Sequence, residues 1–164
     1  TYECIWRSGA ILKCKIFAWL ATQHRLWTSD RRARHGLQDD TATCFLCLQE
    51  EDTVDHILVH CSYAKEVWHL CFSKVGISVP YRNQTDTFTT WWLLARKSVI
   101  AKHRRGFDTL VIATAWSIWK QRNARVFGRF GQQRTPQLLV DQIIAELKEW
   151  KSAGVGRLAP FVRE

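Results

Sequence analysis

Cysteine and histidine residues are concentrated in one short stretch of this chain. Cys44 and Cys47 are separated by two residues. His56 follows Cys47 after eight further residues, and Cys61 follows after another four. Two residues between cysteines let a tight turn bring both thiolates to one metal ion, and the later histidine and cysteine can complete a tetrahedron. This spacing predicts one Zn²⁺ site, and it constrains the fold more than any other feature of the chain.

The composition of the donor set indicates a structural role for the predicted zinc. Three thiolates and one imidazole fill all four positions, whereas a catalytic zinc keeps one position for water. The stretch 39–52 has acidic and turn-forming residues but no apolar period. Metal binding contributes roughly 10 to 16 kcal/mol in such modules, so it can order a loop that hydrophobic burial cannot. We therefore expect zinc to organise this loop.

Two questions about these residues stay open at the level of sequence. The cysteines could be buried free thiols beside a hydrogen-bonded histidine, or Cys44 and Cys47 could form a disulfide. His60 is a second candidate nitrogen ligand, but it directly precedes Cys61 and would crowd a shared metal, so His56 is preferred.

The remaining cysteines are expected to be small buried apolar groups. They are Cys4, Cys14 and Cys71.

Positive charge is unevenly distributed along the 164 residues. Residues 1–40 carry seven basic and four acidic side chains, a net of +3. Residues 41–79 carry two and five, a net of −3, and residues 80–164 carry fifteen and six, a net of +9. A polyanion would therefore meet the flanks before the acidic middle. The total of +9 favours nucleic acid as the partner, with solubility as the alternative reason for the charge.

Apolar periodicity predicts an all-α fold, a helical domain with a small zinc-organised loop and a Trp-rich helical C-terminal segment. Nine tryptophans indicate a Trp-rich core, although some could line a surface. Longer helices are predicted over 11–27, 63–75, 88–97, 108–127 and 136–153, with short ones ending near Arg34 and containing His56. Expected helix starts are Thr53 and Thr135. Expected stops are Gly36, Gly76 and Gly154.

Three of these helices have predicted core faces. The helix over 11–27 should bury one stripe: Leu12, Ile16, Trp19 and Leu20. The helix over 108–127 should bury another, with Asn123 as a hydrogen-bonding residue within it: Ile112, Ala115, Trp116, Trp119, Val126 and Phe127. The last helix should bury a third: Leu139, Ile143, Leu147 and Trp150.

Turn-forming residues over 80–85 predict a linker between a zinc-binding domain, 1–79, and a basic helical segment, 80–164. The residues after Gly154 are expected to be loose. Since the chain contains no methionine, we interpret it as part of a longer polypeptide. No apolar run long enough for a bilayer and no secretion signal is present, so an intracellular location, nuclear or cytoplasmic, is expected.

Catalytic motifs are missing from the sequence: it has no phosphate-binding glycine loop, nucleophile elbow or His-Glu-x-x-His helix. The pair Asp39-Asp40 follows a turn-like region, whereas a polymerase would hold such a pair on a hydrophobic hairpin. We therefore expect no enzymatic activity and no small-molecule substrate.

Basic residues flanking the acidic middle are the predicted nucleic-acid contacts, with exposed tryptophans stacking on unpaired bases. They are Arg31, Arg32, Arg34, Lys102, Arg104, Arg105, Arg122 and Arg125. The alternative is a protein-interaction scaffold that uses an exposed patch such as Trp91-Trp92, unless these residues belong to the core.

Several stretches between residues 4 and 75 carry a family resemblance. They are KCKIFAWL at 13–20, RLWTSDR at 25–31, CFLC at 44–47 and DHILVHCSYAKEVW at 55–68. They resemble the zinc-binding domain found downstream of the reverse transcriptase in plant LINE-type non-LTR retrotransposons. The stretch WSIWKQRNARVF at 116–127 is similar to the segment that commonly follows that domain.

The resemblance implies a ligand set and a context. The implied ligands are Cys44, Cys47, His56 and Cys61. The parent polypeptide would carry reverse transcriptase and endonuclease activities elsewhere, and element RNA or target DNA would be the partner of this module. The parent polymerase or a host protein would be the partner under the scaffold alternative, including the case of a fragment adopted by a host.

Overall fold

A computed structural model describes residues 1–38, 40, 42–79, 83 and 85–154. Within this part of the chain the fold is all-α, as predicted, with no strand and one isolated antiparallel bridge between Thr43 and Glu51. The α-helices are α1 (Tyr2–Arg7), α2 (Leu12–Thr22), α3 (Ser29–Arg34), α4 (Ser62–Val75), α5 (Phe88–Lys97), α6 (Arg104–Val126) and α7 (Pro136–Ser152). A π-helical turn spans His56–His60, and 3₁₀ turns span Ala101–His103 and Phe130–Gln132.

Helix α6 lies at the centre of the fold. It contacts α1, α2, α4, α5, α7 and the π-helical turn. Because neighbours surround it, most of its length is buried on every side rather than along one stripe. The core face predicted for the helix over 108–127 is therefore too narrow. The prediction that Phe127 belongs to this face is wrong, because Phe127 lies beyond the end of α6 and is 61% exposed.

Helix α2 buries only part of the predicted face, since Trp19 and Leu20 are half-buried against the core but the other two predicted residues are not. Leu12 and Ile16 are exposed, whereas Cys14, Phe17 and Ala18 are buried. This helix has apolar residues all round, so periodicity alone does not choose a side. The neighbours α1 and α6 make that choice, and they cover the face that carries the small alanines.

The predicted helix over 11–27 also ends earlier than expected. Its last residue is Thr22, and His24 then adopts a left-handed conformation with φ of 52°. The backbone N–H of Arg25 donates to the carbonyl of Leu20 at 2.8 Å, which closes the helix end in the way a glycine stop usually does. Trp27 follows outside the helix and is 49% exposed.

Other local signals are confirmed. Gly76 ends α4 with a left-handed φ of 68°, and Gly36 and Gly154 are also left-handed. Thr135 begins α7, where its hydroxyl accepts a hydrogen bond from Leu138 N. The predicted core residues Leu139, Ile143 and Leu147 of α7 are buried, and this helix packs on α4.

Tryptophans fill much of the core, as predicted. Trp68 and Trp91 lie 4.7 Å apart between ring centroids, and Trp92 donates its indole N–H to Asp108 at 3.1 Å. Trp91 and Trp92 are both buried, so they do not form the exposed patch that the scaffold alternative assumed. Their helix, α5, begins with a capping box between Thr87 and Thr90 that sets its register against the core.

One hydrophobic core draws on helices from both predicted segments, since α1, α2 and α4 contribute with α5, α6 and α7. Of the predicted linker, residues 80–82 and 84 lie outside the described residues, as does the tail 155–164. The division into 1–79 and 80–164 stays a prediction. No helix in the described part of the chain combines the length and apolarity needed to cross a bilayer.

Candidate metal centre

A short hairpin carries the first two candidate ligands. Its arms are joined by hydrogen bonds from Asp52 N to Ala42 O at 3.0 Å and from Cys44 N to Glu50 O at 2.6 Å. At its tip the N–H of Leu46 points to the sulfur of Cys44 at 3.4 Å. An amide aimed at a cysteine sulfur favours the negatively charged thiolate form. The predicted loop is therefore a hairpin whose turn is built around a cysteine.

A π-helical turn carries the other two candidate ligands. The N–H of Cys61 donates to the carbonyl of His56 at 2.7 Å, which is the i→i+5 bond of such a turn. On an α-helix, side chains five residues apart diverge by about 140°. The wider turn reduces this divergence and directs both side chains toward the hairpin. Thr53 begins the turn as predicted, because its hydroxyl accepts a hydrogen bond from His56 N at 3.2 Å.

The four candidate ligand atoms converge in space. Those of Cys44, Cys47, His56 and Cys61 all lie within 4.8 Å of one another. The sulfurs of Cys44 and Cys61 are 3.9 Å apart, and the Cys47 sulfur lies 3.2 Å from His56 Nε2. Two zinc–sulfur bonds of about 2.3 Å at a tetrahedral angle would place their sulfurs about 3.8 Å apart. The site therefore fits one Zn²⁺.

The same geometry decides against the disulfide and selects one of the two histidines. All six cysteines are free thiols, so Cys44 and Cys47 do not form a disulfide. The imidazole of His60 lies 2.7 Å from the carbonyl oxygen of Asp86 through Nε2, and it is not part of the convergent group. His56 is therefore the nitrogen donor, as predicted.

Contacts within the cluster shift the pKa values of its members in different directions. Cys44 and Cys61 are fully buried. A hydrogen bond from the Cys61 thiol lowers the pKa of Cys44 to about 4, and the same bond together with burial raises the pKa of Cys61. Burial opposes the charged form of His56, but contacts with the sulfurs of Cys44 and Cys47 raise its pKa overall. Zinc would displace the shared proton, as ligation by thiolates requires.

A buried ion pair holds the zinc hairpin against the helices. The carboxylate of Asp52, at the base of the hairpin, is fully buried and accepts hydrogen bonds from Arg122 Nε at 3.2 Å and from Arg122 Nη2. The backbone N–H and hydroxyl of Ser29 donate to the same carboxylate at 2.9 and 3.0 Å. The guanidinium of Arg122 also lies 5.4 Å from the Phe45 ring centroid and 5.0 Å from that of Trp119. Asp52 therefore connects the hairpin to α3 and α6.

Sequence reasoning missed this network. Asp52 stands in an acidic run that reads as a solvated loop, and no periodic signal marks it as buried. Arg122 was expected to be an exposed phosphate contact, but only 4% of it is accessible. Burial removes it from the set of exposed cations, because almost none of its surface is open to a phosphate and both Nε and Nη2 already donate to Asp52.

The remaining predicted contacts differ in exposure. Arg32, Arg34, Lys102 and Arg105 are exposed, whereas Arg31, Arg104 and Arg125 are half-buried. Arg31 lies over the ring of Trp27 at 4.5 Å, and Arg125 lies over that of Tyr63 at 4.9 Å. Asn123, predicted to be a buried register residue, is half-buried and accepts a hydrogen bond from Arg122 at 3.1 Å. Of the pair Asp39-Asp40, Asp40 is exposed and Asp39 lies outside the described residues.

The fold and the site together define a small all-α domain with a closed four-ligand zinc site. Residues 1–68 match the family model described as zinc-binding in reverse transcriptase, and the match includes the whole donor set. The match confirms the resemblance to a reverse-transcriptase-associated zinc-binding domain over residues 1–68. No curated protein and no solved structure matches the chain.

Proposed function

We propose that this chain is a non-catalytic module of a LINE-type retrotransposon reverse transcriptase polypeptide, and that it binds element RNA or target DNA. The family match and the zinc site support the first part, because they associate the domain with reverse transcriptase. A plant origin and a nuclear or cytoplasmic location belong to the same proposal.

A purely structural role for zinc supports the absence of a reaction. Three thiolates and one imidazole complete a tetrahedron, which leaves no position for a reacting water. Bound zinc would connect the hairpin at Cys44 and Cys47 to the π-helical turn at His56 and Cys61. The ion would therefore hold two segments in a fixed relation, and the proposal assigns it no part in chemistry.

Exposed cations outside the acidic zinc region are the observation that carries the nucleic-acid proposal. Residues 41–79 have a net charge of −3, so the zinc hairpin is a poor partner for phosphates. Arg32 and Arg34 on α3 are exposed, as are Lys102 in the 3₁₀ turn before α6 and Arg105 in the first turn of α6. Ionic contacts of this kind release counterions from a nucleic acid and bind it with little sequence preference.

An exposed tryptophan beside these cations supports contact with unpaired bases. Trp27 is about half exposed, and the guanidinium of Arg31 lies 4.5 Å from its ring centroid. Arg32 and Arg34 follow on the same short helix. Aromatic rings next to basic side chains bind single strands by stacking on bases while the cations bind phosphates. We therefore expect single-stranded nucleic acid to bind more tightly than duplex.

Fluorescence anisotropy with a short labelled single-stranded RNA tests this proposal. The zinc-loaded full chain should bind at low salt, and log Kd should rise linearly with log salt concentration. Arg32→Gln plus Arg34→Gln should weaken binding more than Lys148→Gln plus Lys151→Gln, a control that removes the same charge from exposed positions of α7. Absent or salt-insensitive binding to both RNA and DNA would show the proposal to be wrong.

Exposed apolar side chains on the first two helices favour a second candidate, the protein-interaction scaffold. Tyr2, Leu12 and Ile16 are 66%, 65% and 44% exposed. Such residues suit a contact with the parent polymerase or with a host protein. Recovery of a partner after nuclease treatment, lost on Leu12→Asp plus Ile16→Asp but kept on Arg32→Gln plus Arg34→Gln, would favour the scaffold over nucleic-acid binding.

A further inference from the structure

A cavity of about 370 Å³ lies among α1, the end of α5 and the start of α6. Four arginines and two carboxylates line it: Arg7, Arg96, Arg104, Arg105, Glu3 and Asp108. None of these residues is part of the zinc site, and Arg7 and Arg96 were not among the predicted nucleic-acid contacts. The lining carries a net charge of +2.

Two of the arginines are held in place by bonds from Nε. Arg96 Nε donates to both carboxylate oxygens of buried Asp108, at 2.9 and 3.0 Å. Arg104 Nε donates to the carbonyl of Val99 at 3.0 Å. These bonds fix each guanidinium plane, so the two arginines lose little conformational freedom when they bind a ligand. The indole N–H of Trp92 also donates to Asp108 and holds the carboxylate in position.

The other two arginines, Arg7 and Arg105, are more accessible to solvent. Arg7 contacts Glu3 at 3.7 Å in an i,i+4 pair whose side chains are both more than 70% exposed. Exposed pairs of this kind contribute little to stability, so Arg7 can leave Glu3 and bind an anion in the cavity at little cost. Arg105 is exposed at the start of α6.

A neighbouring lysine adds to the positive charge near Arg105. Lys15 on α2 donates to the carbonyl of Trp6 at 3.2 Å. Burial lowers the pKa of Lys15, and the charge of Arg105 lowers it further. Cations that repel one another in this way gain stability when an anion binds among them.

From this arrangement we infer that the cavity binds a phosphodiester group of a nucleic-acid backbone. A tetrahedral phosphate accepts hydrogen bonds from several guanidinium groups, whereas one planar carboxylate is matched by a single arginine fork. A site of four arginines is therefore better suited to phosphate. The inference rests on the proposed nucleic-acid binding and places one of its phosphate contacts.

A charge-neutralising variant tests the inference without disturbing the core. Arg7→Gln plus Arg105→Gln removes the two exposed cations and leaves Arg96, Asp108 and Arg104 in place. Kd for a short single-stranded RNA should rise about tenfold, and the magnitude of the salt slope should fall by about 0.7, the value for one phosphate of a single strand. The matched control, Lys148→Gln plus Lys151→Gln, should change Kd by no more than about twofold.

A second variant tests whether removal of a negative charge from the cavity strengthens RNA binding. Glu3→Gln removes the carboxylate that competes for Arg7, so RNA binding should tighten about two- to threefold. Glu149→Gln, an exposed acidic residue of α7, removes the same charge elsewhere and serves as its control. Unchanged zinc content and thermal unfolding would show that each variant remains folded.

The outcomes separate this inference from the function on which it rests. Failure of the wild-type chain to bind RNA or DNA overturns the proposed function. If the wild type binds while the arginine variant matches its lysine control, the cavity is not a phosphate site. If binding requires a 5′-phosphate on the oligonucleotide, or inorganic phosphate competes at equal concentration, the ligand is a terminal or free phosphate and the backbone assignment is wrong.

Discussion

Asp52 and Arg122 illustrate how much a single buried pair contributes to this protein. Both side chains are at most 5% exposed, and Ser29 completes the hydrogen bonding of the carboxylate. A buried pair of charges is not in itself strongly stabilising, because desolvation offsets the attraction. Removal of one partner, however, leaves the other charge buried and uncompensated. The pair therefore fixes the position of the hairpin more than it adds to stability.

Asp52→Ala should lower the free energy of unfolding by about 3 to 5 kcal/mol, because it leaves the Arg122 guanidinium buried without a counter-charge. Urea unfolding at saturating zinc measures the change. The exposed pair Arg7–Glu3 provides the control, since Glu3→Ala should cost at most about 1 kcal/mol. Equal effects of the two substitutions would contradict the buried network.

Asp108 predicts a pH dependence of stability. Burial raises its pKa from 3.8 to about 6, against the opposing effect of Arg96. Between these values the folded protein holds a proton that the unfolded chain has released, so the contribution of this group to stability is greatest below about pH 4. That contribution is lost as the pH rises through about 6.

Comparison of wild type with Asp108→Asn isolates the contribution of Asp108 to the pH dependence of stability. Contributions of the zinc ligands are common to both proteins and cancel in the difference. The difference in free energy of unfolding, wild type minus variant, should fall as the pH rises from about 4 to about 6 and then stay level. Urea unfolding across this range measures it. A difference that rises with pH would mean that the ion pair with Arg96 outweighs burial.

At the scale of elements, the zinc hairpin and the π-helical turn depend on each other. The hairpin of residues 42–52 has one backbone bridge and few buried apolar side chains, whereas the π-helical turn buries Ile57, Leu58 and Val59. The indole of Trp68 donates to Leu58 O at 2.8 Å and holds the turn against α4. The turn can therefore rely on packing, but the hairpin requires the metal.

Removal of zinc should unfold the hairpin before it affects the helices that surround α6. Cys44→Ser plus Cys47→Ser should abolish binding of one zinc equivalent and lower stability by several kcal/mol. Hydrogen exchange followed by mass spectrometry should show the largest loss of protection over 42–52 and the smallest in α6. Undiminished protection of the hairpin in the metal-free protein would contradict a structural zinc.

Substitution of the two histidines of the π-helical turn should affect zinc affinity differently. His56→Ala removes a ligand and should reduce zinc affinity strongly. His60→Ala removes a side chain that contacts the carbonyl of Asp86 and is not a ligand, so the protein should keep one equivalent of zinc. Competition with a chromogenic chelator measures both affinities, and loss of zinc in the His60 variant alone would reverse the ligand assignment.

Across the whole molecule, the zinc-binding part and the C-terminal helices share one core. The family match ends at residue 68, but α2 and α1 pack on α6, and Asp52 is paired with Arg122 of the same helix. A fragment that stops at residue 79 would expose Phe17 and Ala18 and would leave Asp52 without its partner. The stable unit is therefore expected to extend through α7.

The fragment 1–79 should bind zinc but unfold without cooperativity, because the apolar face of α2 has no cover. The fragment 1–154 should unfold cooperatively and with the stability of the full chain. Calorimetry of the two zinc-loaded fragments distinguishes these cases. Cooperative unfolding of 1–79 with undiminished stability would show that the predicted domain boundary is also a folding boundary.

The sequence alone determined features that depend on near neighbours. Ligand types at a fixed spacing identified the zinc donors, and Thr53, Gly76 and Thr135 marked ends of elements because caps act within one helical turn. The all-α class followed from periodicity for the same reason. These predictions needed no knowledge of what lies across the core.

Only the tertiary structure decided what each face meets. The buried side of α2, the burial of Arg122 and the cavity beside Arg7 all depend on contacts between residues far apart in the chain. The sequence signal of a basic residue on a helix is the same whether its neighbour is water or a buried aspartate. The role of such a residue depends on which element packs against it, since the free energy of a charge depends on its surroundings.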